Sequence, residues 1–235
     1  MKRYDENTQK IIRRLDVLRK ELHHGTSSNQ HAIDDLAKEL AAYQSILRPG
    51  EKDENLSIVD EHGVETGVQA PRWLAHLLGL SHQAVDIILK WQHPQLGQVA
   101  ILQVRSWDKD NSPGCLDISA GGHPKFDQSV EEAAFSELEE ELGLRQEHLQ
   151  GRKLECIKKY FIFEEKVNKA QFYNAEWRYI YTGLLNNDAL EAIHFQDKEV
   201  AGLTIMPIKI VKNLPNQSIL PVASGLKHSL PYCKL

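Results

Sequence analysis

Three glutamates, Glu137, Glu140 and Glu141, fall close together in the segment VEEAAFSELEEELGL that runs from Val130 to Leu144. At roughly 100° per residue they share one arc of a helix, with Ala134, Leu138 and Leu142 on the neighbouring arc facing a core. Gly143 stands where a left-handed residue ends a helix. A glutamate-rich face is most often simply solvated, and it then carries Lys or Arg four residues on. Here Glu137 faces Glu141, Glu140 faces Leu144, and no basic residue lies between Lys125 and Arg145. Like charges at that spacing cost about 0.2–0.5 kcal/mol a pair. Carboxylates beside an apolar arc also resist ionisation unless a cation neutralises them. Hard oxygen donors of this kind suit Mg²⁺ or Mn²⁺, above all when a substrate phosphate completes the shell.

Gly122, Glu137-Leu138, Glu140-Glu141 and Gly143-Leu144 together resemble, in register, the box motif of the Nudix family. Several constrained positions at fixed spacing make this far more specific than a lone glycine motif. The resemblance implies an α/β fold, a Nudix-type α/β/α sandwich with a mixed sheet, whose box forms a loop-helix-loop. It also implies divalent-metal hydrolysis of the diphosphate (phosphoanhydride) bond in a nucleoside-diphosphate-like or other diphosphate substrate, with Glu137, Glu140 and Glu141 on the metal and the Gly122 carbonyl assisting. Two positions depart from the family pattern. Gln128 replaces the first box glutamate, and Ser136 replaces the arginine that orients a box carboxylate.

Upstream, Leu102–Ser106, Lys109 and Ser112–Asp117 resemble the isopentenyl-diphosphate isomerase branch and its bacterial hydrolase-like relatives, as does Ile58–Gly63. That resemblance covers about Leu56 to Val211. It implies diphosphate contacts from Arg105 and Lys109, which would make charge-assisted bonds to phosphate. It also places His76, His82, His123 and Glu176 where the isomerases hold a second metal, with Asn174 in place of a further carboxylate. Imidazoles with a carboxylate suit Mn²⁺ or Zn²⁺, although such histidines can equally be hydrogen-bonded core residues. The isomerase itself is disfavoured, because Gly121 stands where its acid/base cysteine belongs, and Cys115 is six residues too early. The general base stays open among Glu137, Glu176 and Glu199. A Nudix-fold binding or regulatory module, with reduced catalysis, is the alternative that Gln128 and Ser136 suggest.

Elements must hold these groups in place. Ile11, Ile12, Leu15, Leu18 and Leu22, then Ile33, Leu36, Ala37, Leu40, Tyr43 and Leu47, give two amphipathic helices around the break at Gly25–Asn29, ended by Pro49-Gly50. This hairpin (1–48) needs a partner for its apolar stripes, either the following domain or a second copy in a homodimer. The charged linker Glu51–Asn55 leads into the domain proper (49–235). Strands are expected at Leu56–Val59, Ala84–Trp91, Val99–Val104, Lys158–Phe163 and Trp177–Leu184, with a helix over Val130–Leu142. A tail punctuated by Pro215, Pro221 and Pro231 follows Val211. The 235 residues carry 28 basic and 33 acidic side chains, a net charge of −5, with no long basic tract; this argues against nucleic-acid and membrane-surface binding. A start without an apolar signal core, and the unpaired Cys115, Cys156 and Cys233, lead us to expect a cytoplasmic protein with reduced thiols.

Overall fold

The side chains of residues 82–89 are all buried, the mark of a strand covered on both faces, and the strand they nucleate runs on to His93. The computed structural model describes residues 6–21, 30–44, 54–109, 112–168, 170–195, 199–216 and 220–233. Leu22, the break at Gly25–Asn29, Leu47, Pro49-Gly50, most of the charged linker, and Asp197 and Lys198 lie outside them. The chain forms two compact units: Met1–Gln83 with Pro124–Gln128 and Tyr160–Arg178, and Ala84–His123 with Ser129–Lys159 and Tyr179–Leu235.

In the first unit, helices α1 (Glu6–Glu21) and α2 (Gln30–Leu40) precede strands β1 (Asn55–Val59) and β2 (Glu65–Pro71) and helix α3 (Arg72–Leu78). β1 pairs antiparallel with β2, from Asn55↔Pro71 to Ile58↔Val68, and meets β3 (His82–His93) at Ile58↔His82. Leu15, Ile33 and Leu40 of the helical hairpin share one core with Leu56, Ile58, Val68, Trp73, Leu74 and Leu77. The stripes therefore find their partner within this unit. The Gln30 carboxamide adds a strand-like contact to β2: its Nε2 donates to the Gln69 carbonyl (3.1 Å) and its Oε1 accepts from the Gln69 N–H (2.8 Å). That covers part of a sheet edge which would otherwise invite pairing. Ile33 is 1% exposed. Ile33→Ala should lower unfolding free energy by about 2–4 kcal/mol. An unchanged denaturant midpoint would show that the hairpin is not part of this core.

The second unit contains β4 (Gly97–Arg105), β5 (Leu116–Asp117), β6 (Ala120–Gly122), helix α4 (Val130–Leu142), β9 (Val200–Pro207) and helix α5 (Ser224–Ser229). Strands β7 (Glu155–Asn168) and β8 (Ala170–Leu184) contribute residues to both units. β3 pairs antiparallel with β4 and with β6, and β4 pairs with β5 and, from Val99↔Pro207 to Arg105↔Val200, with β9. A parallel bridge joins Leu116 to Val222. Ala134, Leu138 and Leu142 of α4 are buried on Val85, Ile87, Leu89, Ile101 and Tyr181, forming a helix-on-sheet layer.

The expected strands are present, each longer than its apolar stretch. The sequence reading missed β2, the short β5 and β6, and β9. β9 has little periodicity of its own, since its VAGLTIMP is held by a full-length antiparallel partner. Among the described residues no helix is long and apolar enough to cross a membrane.

Candidate active site

Helix α4 is fixed at both ends by its own sequence. Ser129 caps it reciprocally: the Ser129 Oγ accepts from the Glu132 N–H (3.2 Å), and the Glu132 carboxylate accepts from the Ser129 N–H (3.0 Å). Gly143, at φ 68°, ends it by donating to the Glu139 carbonyl. With Leu138 and Leu142 fully buried, the arc of Glu137, Glu140 and Glu141 is turned to the rim of the core. Glu141 is itself buried, whereas Glu137 and Glu140 are half-buried.

The Glu141 Oε2 accepts from the Gln103 Nε2 (3.1 Å) and from the Gly121 N–H (3.2 Å). Burial, reinforced by the negative charge of Glu137, pushes its carboxyl from an ordinary 4.5 up to about 8; Lys109 opposes the rise and Glu199 adds to it. At neutral pH and without a cation, Glu141 is thus mostly protonated. Gly122 faces Glu137 directly, since a Cβ at 122 would stand 2.1 Å from the Glu137 Oε1. Gly122, the half-buried Glu137 and Glu140 and the buried Glu141 offer hard oxygens beside β6 and along one arc of α4. The donor set fits Mg²⁺ or Mn²⁺.

The loop after β4 brings in two more of the expected residues. Lys109 forms an ion pair with Glu199, and the Ser106 N–H donates to the Glu199 carbonyl (3.2 Å). Arg105 pairs with Asp117 at 2.8 Å. Asp117, which the sequence reading quoted without a role, is a junction: its Oδ1 accepts from the N–H groups of Ile118 (2.9 Å) and Leu226 (3.0 Å), while its Oδ2 holds Arg105. Gln103 was quoted but given no role. The signal for both was a polar residue inside an otherwise apolar strand context, which must have a partner. Asp117→Asn keeps the acceptor oxygen for the α5 backbone and removes the charge that aims Arg105. If Arg105 binds phosphate as the resemblance implies, this change should raise KM for a diphosphate substrate about tenfold with little change in melting temperature. An unaltered KM would show that Arg105 needs no aiming.

His76, His82 and Glu176 are grouped in the first unit, where each is at most 2% exposed. The two imidazoles meet edge-on with centroids 5.0 Å apart, and the His82 Nε2 lies 3.7 Å from the Glu176 Oε1. The His82 Nδ1 is turned to the Leu80 carbonyl (2.8 Å), and Arg178 donates to the Glu176 Oε2 (2.7 Å). One ligand atom from each of the three falls within 4.8 Å of the others. The Asn174 Oδ1, buried on the same strand face as Glu176, has no hydrogen-bond partner among the described residues. Two imidazole nitrogens, a carboxylate oxygen and a spare amide oxygen suit a transition-metal ion. His123 follows β6 in the second unit and is half-buried.

Gln128 and Ser136 are where the chain departs from the box. The Gln128 Oε1 accepts from the Lys125 N–H (3.0 Å), so it closes the loop before α4.

A helix carrying acidic residues at fixed spacing, laid on a sheet behind a Gly-Gly strand end, defines the class to which this chain belongs. Residues 80–222 match the NUDIX domain, and the chain is a member of the Nudix family. It is 32% identical over 164 residues to Nudix hydrolase 3 of Arabidopsis thaliana, covering 68% of this chain and 20% of that protein. It is 37% identical over 89 residues to the uncharacterized Nudix hydrolase YfcD of Escherichia coli, 38% of this chain and 47% of that one. It is 36% identical over 72 residues to an isopentenyl-diphosphate Delta-isomerase of Roseobacter denitrificans, 30% of this chain and 38% of that enzyme. The chain thus spans from a fifth to about half the length of these relatives. The structure of DR0079 from Deinococcus radiodurans shares the fold, with a TM-score of 0.56 at 16% identity, over 77% of this chain and all of that one.

Proposed function

We propose that the chain is a metal-dependent Nudix hydrolase that cleaves the phosphoanhydride bond of a small diphosphate substrate. The observation that carries this reading is the buried Glu141, braced by Gln103 and Gly121 beside Glu137. Glu137, Glu140 and Glu141, with the Gly122 carbonyl, would hold Mg²⁺ or Mn²⁺. The bound ion supplies a polarised phosphoryl oxygen and a water of lowered pKa. Arg105 and Lys109 neutralise charge on the phosphates. Lys109 also pairs with Glu199 in the free protein. When a phosphate takes over Lys109, Glu199 is released to accept the proton of the attacking water, and we assign it as general base on that ground.

His76, His82 and Glu176 would hold a second ion in the first unit, and the resemblance adds His123 to that set. The isomerase reading lacks its proton donor. A Cβ at Gly121 would stand 2.6 Å from both the Val85 carbonyl oxygen and the Ile118 side chain, so no acid/base side chain fits at that position as the strands stand.

The test is a panel of nucleotide-sugar, dinucleotide and isoprenoid diphosphates with Mg²⁺ or Mn²⁺. Cleavage that is lost on chelation is expected for at least one class. Its absence across the panel, with the protein shown to be folded, would leave a diphosphate-binding module as the better reading.

A further inference from the structure

A strand at the end of a sheet presents a row of unpaired N–H and C=O groups, and proteins cover or blunt such edges. Two edges of this chain are treated in that way. β2 is met by the Gln30 carboxamide, and β7 carries Lys158 and Lys159. β9 is different. It pairs with β4 along its length, and among the described residues no other strand, loop or turn bonds to its backbone. Its sequence, VAGLTIMP, contains no charged residue, and proline stands only at its last position. Ala201 and Ile205 are exposed, Ile205 at 40%, and Ile210 just beyond the strand is exposed at 47%.

We propose that this edge is occupied by β9 of a second copy of the chain, the two strands pairing antiparallel about a twofold axis at Thr204. Thr204 then lies beside its own copy, Leu203 beside Ile205, Gly202 beside Met206 and Ala201 beside Pro207. Leu203 and Ile205 sit opposite Gln103 and Ile101 on the α4 face of the sheet, so the dimer gathers four branched apolar side chains there. Threonine is a favourable partner for threonine across strands. A Cβ at Gly202 would meet nothing within 4 Å, and Met206 of the other copy is long enough to reach into that space. No pairing sets two bulky groups or two like charges against each other.

The flanks are complementary as well. Asp197-Lys198-Glu199 before the strand is net acidic, and Lys209 and Lys212 follow it. Antiparallel pairing sets the acidic start of each copy against the basic end of the other, which favours this partner and this direction. Main-chain hydrogen bonds along the joined edge supply affinity, and the side-chain pairs fix the register. A pair of eight-residue strands is smaller than the roughly 800 Å² per partner of a tight interface, so the dimer has a micromolar constant.

The experiment measures sedimentation of the full chain from about 1 to 200 µM, over which wild type should pass from the mass of one chain to twice that mass. Ile205→Lys and Ala201→Lys, each shown by circular dichroism to be folded, should each weaken the dimer by about tenfold or more. The twofold places every new lysine in the interface twice. In a Cys156→Ser background, Thr204→Cys should crosslink to its own copy through a short bismaleimide. Val64→Cys, 58% exposed between β1 and β2, should not. A single-chain mass at every concentration overturns the proposal and leaves the edge to a strand from another protein. A dimer that survives both lysines overturns it, since the copies then meet elsewhere. Crosslinking of Thr204→Cys no stronger than that of Val64→Cys overturns it as well.

Discussion

Glu141→Gln should abolish metal-dependent cleavage, by about a thousandfold or more, and at the same time make the metal-free protein more stable at pH 8. Both effects follow from one carboxyl group. Glu141 holds its proton up to about pH 8 in the folded chain, whereas an unfolded chain releases it near 4.5. A group whose pKa is raised by folding contributes stability that is fully present below the unfolded value. That contribution is lost as the pH rises through the folded one. The metal-free wild type should therefore lose a few kcal/mol of stability between about pH 4.5 and 8. Glutamine has no proton to lose. Its carbonyl can still accept from Gln103 and the Gly121 N–H, and its NH₂ can face Glu137. The variant should show a flatter dependence of melting temperature on pH in chelator. Divalent metal competes with the proton for Glu141, so it should stabilise the wild type strongly at pH 8, weakly at pH 6, and the variant little at either. Melting curves in chelator and in Mn²⁺ at those two values check all three statements. Parallel pH profiles for wild type and variant would show that Glu141 ionises normally and is not the metal-dependent group.

The second large effect concerns Lys109 and Glu199. Lys109→Ala and Glu199→Gln should each lower kcat/KM about a hundredfold, and the double variant should be little worse than either alone. Residues that act as a unit lose their function once, not twice. The two singles should nonetheless differ in pH dependence. Lys109 favours the ionised form of Glu141 and Glu199 disfavours it. Removing the lysine should move the pH at which metal binds upward, and removing the Glu199 charge should move it downward. Additive losses in kcat/KM, or a common direction of shift, would separate the two residues and withdraw the base role from Glu199.

The candidate site was legible in the sequence to the extent that it is local. The cap at Ser129, the stop at Gly143 and the arc of three glutamates depend on contacts within a few residues, which helical periodicity reports. Arg105 and Lys109 came from a resemblance, and the structure shows what occupies them: Asp117 on one, Glu199 on the other. Neither pairing could be read from spacing, since Lys109 and Glu199 are ninety residues apart in the chain. The hairpin helices were legible from their stripes, but not the choice of partner. Leu15 and Ile33 meet Trp73 and Leu74, because β1, β2 and α3 present an apolar surface close by. Among the described residues, the stripe that motivated a dimer is covered within the first unit.

Two matters remained for the tertiary structure to decide, each for a physical reason. The first was which of the three carboxylates is buried. All three glutamates look alike in sequence, yet Glu141 alone is deeply buried, because Gln103 of β4 and Gly121 of β6 close over that end of α4. The second was whether an acid/base group could stand at 121, and the packing of Val85 and Ile118 leaves no room for one. Local sequence was enough for the helix, its acidic arc and the glycines that flank it, since these follow from helical geometry and backbone conformation. Desolvation and steric exclusion arise from atoms distant in the chain, and only folding brings them together.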